Sequence, residues 1–178
     1  HRVKFGLRKA FFICFEMSAT TKDMSALQMS VRYGISENTA RLFMHKVREA
    51  MKSNENNGMI GTVYVDEFTV GGKEESKQGR SYDAKKKKVI CAVEVTEEGK
   101  VKRFYARKIK DFSARSLREI FDKHIDKSAN VITDEWKGYR PIKDYNITQI
   151  PSNKGQNFPI LHTMIHQVKT WLRTTFSW

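Results

Sequence analysis

The first part of the chain carries apolar side chains at three- and four-residue spacing, the repeat that places them on one side of an α-helix. Between Arg2 and about Ser53 there is also no proline, so we predict helices and no strands for this part. A polar cluster that ends in glycine, Asn54–Gly58, follows and is typical of a helix stop and a linker. We therefore predict a helical region over 1–56 and a second domain over 57–178.

After the linker the pattern changes to short runs rich in β-branched and aromatic residues, separated by turn residues. Three runs predict an antiparallel meander, which a helix, two short strands and a last helix follow. The predicted strands are Thr62–Val65, Lys88–Val95, Val101–Ile109, Asn130–Thr133 and Asn146–Ile150, and the predicted helices are Ser113–His124 and Ile160–Trp178. This order predicts the α/β (α+β) class with a mixed sheet, and not a doubly wound parallel sheet.

Within the helical region, two helices joined by a glycine-containing turn are predicted over 25–33 and 37–51, with Ser36 placed to cap the second. Apolar residues recur at core spacing on that second helix and leave four polar residues on its exposed side. These four are Asn38, Arg41, His45 and Arg48. Asparagine and arginine suit readout of adenine and guanine in the major groove, so we predict a helix-turn-helix that binds DNA. The alternative is a helical pair that serves packing or dimerisation.

The charge balance agrees with a DNA partner. Lysine and arginine outnumber aspartate and glutamate by 33 to 20, which gives a formal net charge of +13. Such an excess favours a polyanion, and above all a nucleic acid, over an acidic small molecule. The charge run Lys85–Lys88 precedes a predicted strand, where it suits either phosphate contacts or a solvated loop.

The cysteines and the apolar runs indicate the compartment. Cys14 and Cys91 lie far apart with no second cysteine nearby, which argues against a disulfide framework and fits a reducing cytoplasm. The apolar run Phe11–Phe15 is far shorter than the roughly 20 residues that span a bilayer. We therefore expect a cytoplasmic protein with no membrane partner. Because the chain opens on His1 and ends at Trp178 inside a predicted helix, we also expect a piece of a longer protein.

Two predicted strands end in a pair of acids, Asp66 with Glu67 and Asp134 with Glu135. Carboxylates beside a buried strand cost free energy unless a cation or hydrogen bonds compensate. If the two strands are neighbours, Asp66 and Asp134 can hold Mg²⁺ or Mn²⁺, which prefer carboxylate oxygen. Two such ions about 4 Å apart assist phosphodiester cleavage and strand transfer, so we expect two ions. A single strand-end aspartate would instead favour a capping role.

Several segments resemble DDE-type insertion-sequence transposases of the group with a zinc ribbon, a helix-turn-helix and a ribonuclease-H-like core. These segments are Val65–Lys73, Val89–Val95, Thr133–Tyr139 and, for the helix-turn-helix, Met24–Met51. The resemblance implies a ribonuclease-H-like fold for the core. It also implies metal-dependent DNA strand cleavage and strand transfer at insertion-sequence ends, with double-stranded DNA as the partner of a homo-oligomer.

By that resemblance Asp66 and Asp134 are the first two metal-binding carboxylates, and the third is in question because no Asp or Glu follows Asp144. The last predicted helix looks like the one that delivers a third acid and has His166 at its place, so we predict His166 as a catalytic residue and metal ligand. Imidazole can bind a divalent metal, although Mg²⁺ prefers oxygen. The alternatives are Asn157, Gln167 and residues beyond Trp178.

Further basic residues are candidate phosphate contacts. They are Lys85, Lys86, Lys87, Lys169 and Arg173. Glu67 and Glu135 are expected to support the site or the fold. The family's zinc ribbon is not in this sequence, and we expect the core to be incomplete at its C-terminal end. Two rival interpretations remain, a helix-turn-helix DNA-binding protein whose ribonuclease-H-like domain does not catalyse, and a nuclease of the same fold that cuts without joining strands.

Overall fold

The computed structural model of the chain describes residues 3–20, 24–52, 57–71 and 86–176. The chain divides into two compact units, one of His1–Asn54 with Val168–Trp178 and the other of Glu55–Gln167. Residues of the last helix therefore fall in both units, whereas the hydrophobic pattern groups that whole helix with the second domain. Each unit has its own buried core.

The first unit contains three helices whose ends follow local capping chemistry. They are α1 Leu7–Ala19, α2 Ala26–Tyr33 and α3 Glu37–Met51. A capping box begins α2, because Ser25 Oγ accepts from the Gln28 N–H while the Gln28 side chain accepts from the Ser25 N–H. The helix ends at Gly34, whose left-handed backbone (φ 58°) suits glycine. Ser36 accepts from the Thr39 N–H, which confirms the predicted cap of α3.

The core of this unit is small and apolar. Ile13 of α1, Met29 of α2 and the α3 residues Ala40 and Met44 form one buried cluster. Val47 is buried as well, so the core spacing predicted for α3 is confirmed. The exposed positions of α3 are mostly polar, although Leu42 and Met51 are exposed as well.

The second unit is built on a five-stranded sheet of order β3-β2-β1-β4-β5. The strands are β1 Thr62–Val70, β2 Lys87–Val95, β3 Val101–Ile109, β4 Asn130–Thr133 and β5 Asn146–Gln149. The first three strands pair antiparallel, and β4 pairs parallel with both β1 and β5. This mixed sheet confirms the predicted α/β class and is consistent with a ribonuclease-H-like core.

Two further α-helices are α4 Ala114–His124 and α5 Pro159–Phe176, and two short 3-10 helices are Lys137–Tyr139 and Asn153–Gly155. Ser113 caps α4 by accepting from the Ser116 N–H, as predicted. The apolar side of α4 packs in one core with residues of β1, β2 and β3. That side consists of Leu117, Ile120 and Phe121. In the described part of the chain, no helix is long and apolar enough to cross a membrane.

The first strand is longer than its predicted end at Val65. It continues to Val70 because β2 pairs with it along its whole length. Asp66 and Glu67 therefore lie within a strand and point to opposite faces of the sheet. Asp134, in contrast, directly follows the end of β4, as predicted.

Candidate metal centre and DNA contacts

The acids converge because β1 and β4 are parallel neighbours. Val65 lies opposite Thr133 in their register, so Asp66 and Asp134 each follow one member of the same pair. The ligand atoms of Asp66, Asp134 and Glu67 all lie within 4.8 Å of one another. The structure thus brings together the two predicted aspartates and adds Glu67 to them.

Asp66 is largely buried, with 18% of its side chain exposed. Its Oδ1 accepts a hydrogen bond of 2.7 Å from the backbone N–H of Glu67. Its Oδ2 lies 3.9 Å from Nε2 of His162 on α5. The backbone therefore orients one carboxylate oxygen, and a histidine faces the other.

The turn after β4 fixes Asp134. Its Oδ1 accepts from the Trp136 N–H at 3.0 Å. The side-chain amide of Gln149 donates to the carbonyl oxygens of Asp134 and Trp136, at 2.9 and 3.2 Å. The Trp136 indole N–H in turn donates to the Phe112 carbonyl at 3.1 Å. These bonds hold the segment that carries Asp134 against its neighbours.

Glu67 is held by a buried tyrosine. Its Oε2 accepts a 2.6 Å hydrogen bond from the hydroxyl of Tyr139. Burial, and then the nearby charge of Glu67, raise the pKa of Tyr139 well above its usual value. The phenol therefore stays protonated and donates. Neighbouring Gly138 leaves room for this packing, since a Cβ there would lie 2.6 Å from the Trp136 ring nitrogen.

The donor set suits a hard divalent cation. Three carboxyl groups offer oxygen ligands, which Mg²⁺ and Mn²⁺ prefer, and a cation among them would offset their mutual repulsion. A nearby imidazole is a ligand that Mn²⁺ accepts more readily than Mg²⁺. The residues that line this cluster therefore fit the expected metals.

His166, the predicted third ligand, is not brought into this group. It is exposed and lies one helical turn beyond His162 on α5. His162 is also close to Gly155, where a Cβ would meet its Nε2 at 3.0 Å. The two histidines share one side of the helix, and their spacing does not indicate which turn meets Asp66. Of the alternatives, Asn157 donates to the Pro151 carbonyl at 2.7 Å and Gln167 is exposed.

The predicted base-reading residues lie on α3. Asn38, Arg41 and His45 are exposed, and Arg41 donates to Asn38 Oδ1 at 2.7 Å. Arg48 is partly buried, with its guanidinium 5.7 Å from the ring centroid of Trp171. Three of the four predicted side chains are thus accessible, and the guanidinium of the fourth lies over an aromatic ring.

The predicted phosphate contacts differ in exposure. Lys85 lies outside the described residues, and Lys86 just before β2 is half-buried. Lys87 at the start of β2 is exposed. On α5, Lys169 is half-buried and Arg173 is exposed. Lys87 and Arg173 are therefore the most accessible of those described.

Comparison with known families decides the identity of the chain. The sequence profile of the ISXO2-like transposase domain matches residues 58–177, which is more than half of the 178 residues. The chain belongs to the ISXO2-like transposase family. The matched part of this transposase domain contains Asp66, Glu67, Asp134 and His162, and the match confirms the resemblance to DDE-type insertion-sequence transposases. A comparison with curated proteins found no match.

Membership in a transposase family implies DNA as a partner of this domain. It also gives the acid cluster a chemical context, because DDE-type transposases typically use divalent metals. Two residues that contact the acids were not predicted from the sequence, Tyr139 through its hydroxyl and His162. Tyr139 lies in the segment Thr133–Tyr139, which resembles the transposases, and His162 lies four residues before His166 on the same side of the helix.

Proposed function

We propose that this transposase domain catalyses divalent-metal-dependent DNA strand cleavage and strand transfer at insertion-sequence ends. The observation that carries the proposal is the convergence of Asp66, Glu67 and Asp134 within 4.8 Å in a member of the ISXO2-like transposase family. Acidic groups are common without a bound ion, so the cluster alone would not define a reaction. Membership in a transposase family supports this reaction class, and the cluster supports the acids as its site.

Asp66 and Asp134 are the carboxylates that would hold the metal, with Glu67 as a further oxygen ligand. When bound, two Mg²⁺ or Mn²⁺ ions assist displacement at phosphorus by activating the attacking oxygen and stabilising the leaving oxygen. The protein's own groups orient the ligands beforehand. The Glu67 N–H holds Asp66, the Trp136 N–H holds Asp134, and the Tyr139 hydroxyl holds Glu67.

For the third position we propose His162 in place of His166. Its Nε2 is 3.9 Å from Asp66 Oδ2, near enough to add a nitrogen ligand or to orient Asp66. Both histidines are exposed, and His166 lies one turn further along α5. The substitution of a histidine for an acid would favour Mn²⁺ over Mg²⁺.

DNA binding is proposed for α3 and for the accessible cations. Asn38, Arg41 and His45 would read base edges in the major groove, as side chains of a recognition helix do. The remaining basic residues would contact phosphates. They are Arg48, Lys85, Lys86, Lys87, Lys169 and Arg173. The partner would be double-stranded DNA, both the transposon ends and the target. A homo-oligomer would bind this DNA in the cytoplasm.

The test is a cleavage and strand-transfer assay of the intact transposase with Mn²⁺ and labelled DNA that carries the element's terminal repeats. Asp66→Asn is compared with Asp126→Asn, a matched control because the Asp126 carboxylate accepts from the N–H and the hydroxyl of Ser128 within its own turn. We expect cleaved and joined products from the parent and the control, and neither from Asp66→Asn. Cleavage without joining would indicate a nuclease instead. DNA binding without cleavage by the parent would indicate a non-catalytic binding protein.

A further inference from the structure

The strand register shows which side chains share the sheet face of Asp66. Side chains alternate along a strand, so Asp66 and Phe68 point to the same side of β1. Phe68 lies opposite Val89 on β2, and Val89 lies opposite Lys108 on β3. Residues paired across strands project to one face. Lys108, which no sequence signal singles out, therefore shares the face of Asp66.

The register also places Lys87 on the face of Asp66. It lies opposite Val70 of β1 and two residues before Val89 on β2. Both Lys87 and Lys108 are exposed. In the described ranges, no acid lies within salt-bridge distance of either lysine. Two accessible positive charges therefore lie on the face that carries Asp66.

Two other cations of β3 point to the opposite face and have acid partners. Arg103 Nε lies 3.2 Å from Oε2 of the buried Glu94. Arg107 Nε lies 3.5 Å from Oε2 of Glu119 on α4. The charges of these two arginines are thus compensated by acids, whereas Lys87 and Lys108 have no acid partner among the residues that the structure describes.

We propose that Lys87 and Lys108 form a phosphate track that holds a DNA strand on the face of Asp66. Neighbouring strands lie about 4.8 Å apart and two residues span about 7 Å, so the Cα atoms of Lys108 and Asp66 are about 12 Å apart. By the same spacings Lys87 and Asp66 are about 14 Å apart, so both lysines would contact phosphates within a few nucleotides of the reacting phosphate. This track rests on the proposed function, because it takes Asp66 as the point of reaction.

Lysine on an edge strand also has a protective use that must be separated from DNA binding. β3 forms one edge of the sheet, and lysine there discourages pairing with a second sheet. Protection alone predicts that Lys108→Gln lowers solubility and leaves DNA affinity unchanged. The phosphate track predicts lower DNA affinity instead.

The experiment is fluorescence anisotropy of a labelled duplex with the intact transposase in EDTA, over about 50 to 200 mM salt. The variants are Lys87→Gln, Lys108→Gln and the double change, with Lys123→Gln on α4 as the control for an exposed lysine. We expect the slope of log affinity against log salt to flatten by about 0.9 per lysine and about 1.8 in the double variant. The control should keep the parent slope. An unchanged slope in the double variant would overturn the track.

The two proposals fail separately in this design. Because binding is measured without metal, its slope does not depend on strand cleavage. A flattened slope in a protein that cleaves no DNA would support the track and overturn the catalytic function. Cleavage by the parent together with an unchanged slope would overturn the track alone.

Discussion

The hydroxyl of Tyr139 donates a 2.6 Å hydrogen bond to Oε2 of Glu67, and both side chains are buried. Glu67 lies within β1, and Tyr139 lies in the turn structure that follows β4. The bond therefore joins the two segments that supply Asp66 and Asp134. It also gives one of the three clustered carboxyl groups a neutral donor, which stabilises the ionised form of that group.

Removal of this donor should destabilise the fold and make it more dependent on metal. We expect Tyr139→Phe to lower the free energy of unfolding by about 2 kcal/mol, because a buried acceptor loses its partner. Mn²⁺ should restore part of that loss, since a cation gives Glu67 a new partner. Urea denaturation with and without Mn²⁺ measures both effects.

The matched control is Tyr145→Phe. This change removes a hydroxyl that donates a 3.1 Å hydrogen bond to Asp122, which is not one of the clustered acids. Its loss should be smaller and should not respond to Mn²⁺. Equal responses of the two variants to Mn²⁺ would contradict the link between Tyr139 and the metal site.

The two histidines of α5 should differ in their effect on metal. His162→Ala should weaken Mn²⁺ binding several-fold, because His162 Nε2 is near Asp66 Oδ2 at 3.9 Å. His166→Ala should leave Mn²⁺ binding unchanged, because His166 lies one turn further along α5 than His162. Calorimetric titration of both variants decides the assignment. The reverse pattern would return the role to His166, and two unchanged titrations would exclude both histidines.

The exposed residues of α3 should determine sequence preference. Arg41→Ala and Asn38→Ala should relax discrimination at the bases they contact by about 1–3 kcal/mol each. Lys46→Ala is the control, because Lys46 is exposed on the same helix and its change removes charge without a predicted base contact. Competition binding with cognate and scrambled duplexes measures the preference. Unchanged discrimination in both test variants would remove α3 from base recognition.

The start of α4 should contribute acid-sensitive stability. Asp111 Oδ1 accepts from the Ser113 N–H and from the hydroxyls of Ser113 and Ser116, and these bonds lower the pKa of Asp111 from 3.8 to about 2. The fold therefore favours the ionised form, so the stabilisation is complete above pH 3.8 and is lost as pH falls towards 2.

We expect Asp111→Asn to lower the free energy of unfolding by about 1 kcal/mol at neutral pH. The difference between parent and variant should shrink towards pH 2, where Asp111 becomes protonated. Thermal denaturation across acidic pH measures it. If the parent and Asp111→Asn still differ in stability near pH 2, the effect of the substitution comes from packing and not from the charge of Asp111.

Local signals predicted much of the fold. Ser36 and Ser113 are capping residues whose chemistry acts within one helical turn, so both helix starts could be read from sequence. The end of β1 was not predicted correctly, because its extension to Val70 depends on pairing with β2. That pairing is a tertiary contact, which local composition does not encode.

The site, too, was predicted where local sequence signals determine it and not where tertiary contacts do. Asp66 and Asp134 could be paired from sequence because each follows a short apolar run. Glu67 follows Asp66 in β1, and Tyr139, far along the chain, holds its carboxylate. The rotation of α5, which brings His162 and not His166 near Asp66, depends on how its buried residues Leu161 and Ile165 pack.

The most direct measurement of the central claim is a calorimetric Mn²⁺ titration of the intact transposase and of its aspartate variants. Asp66→Asn and Asp134→Asn should each weaken Mn²⁺ binding at least about tenfold, because each removes a charged oxygen ligand. Asp126→Asn, whose aspartate lies outside the cluster, should bind Mn²⁺ as the parent does. Mn²⁺ binding that is the same in the parent and in both cluster variants would contradict the account.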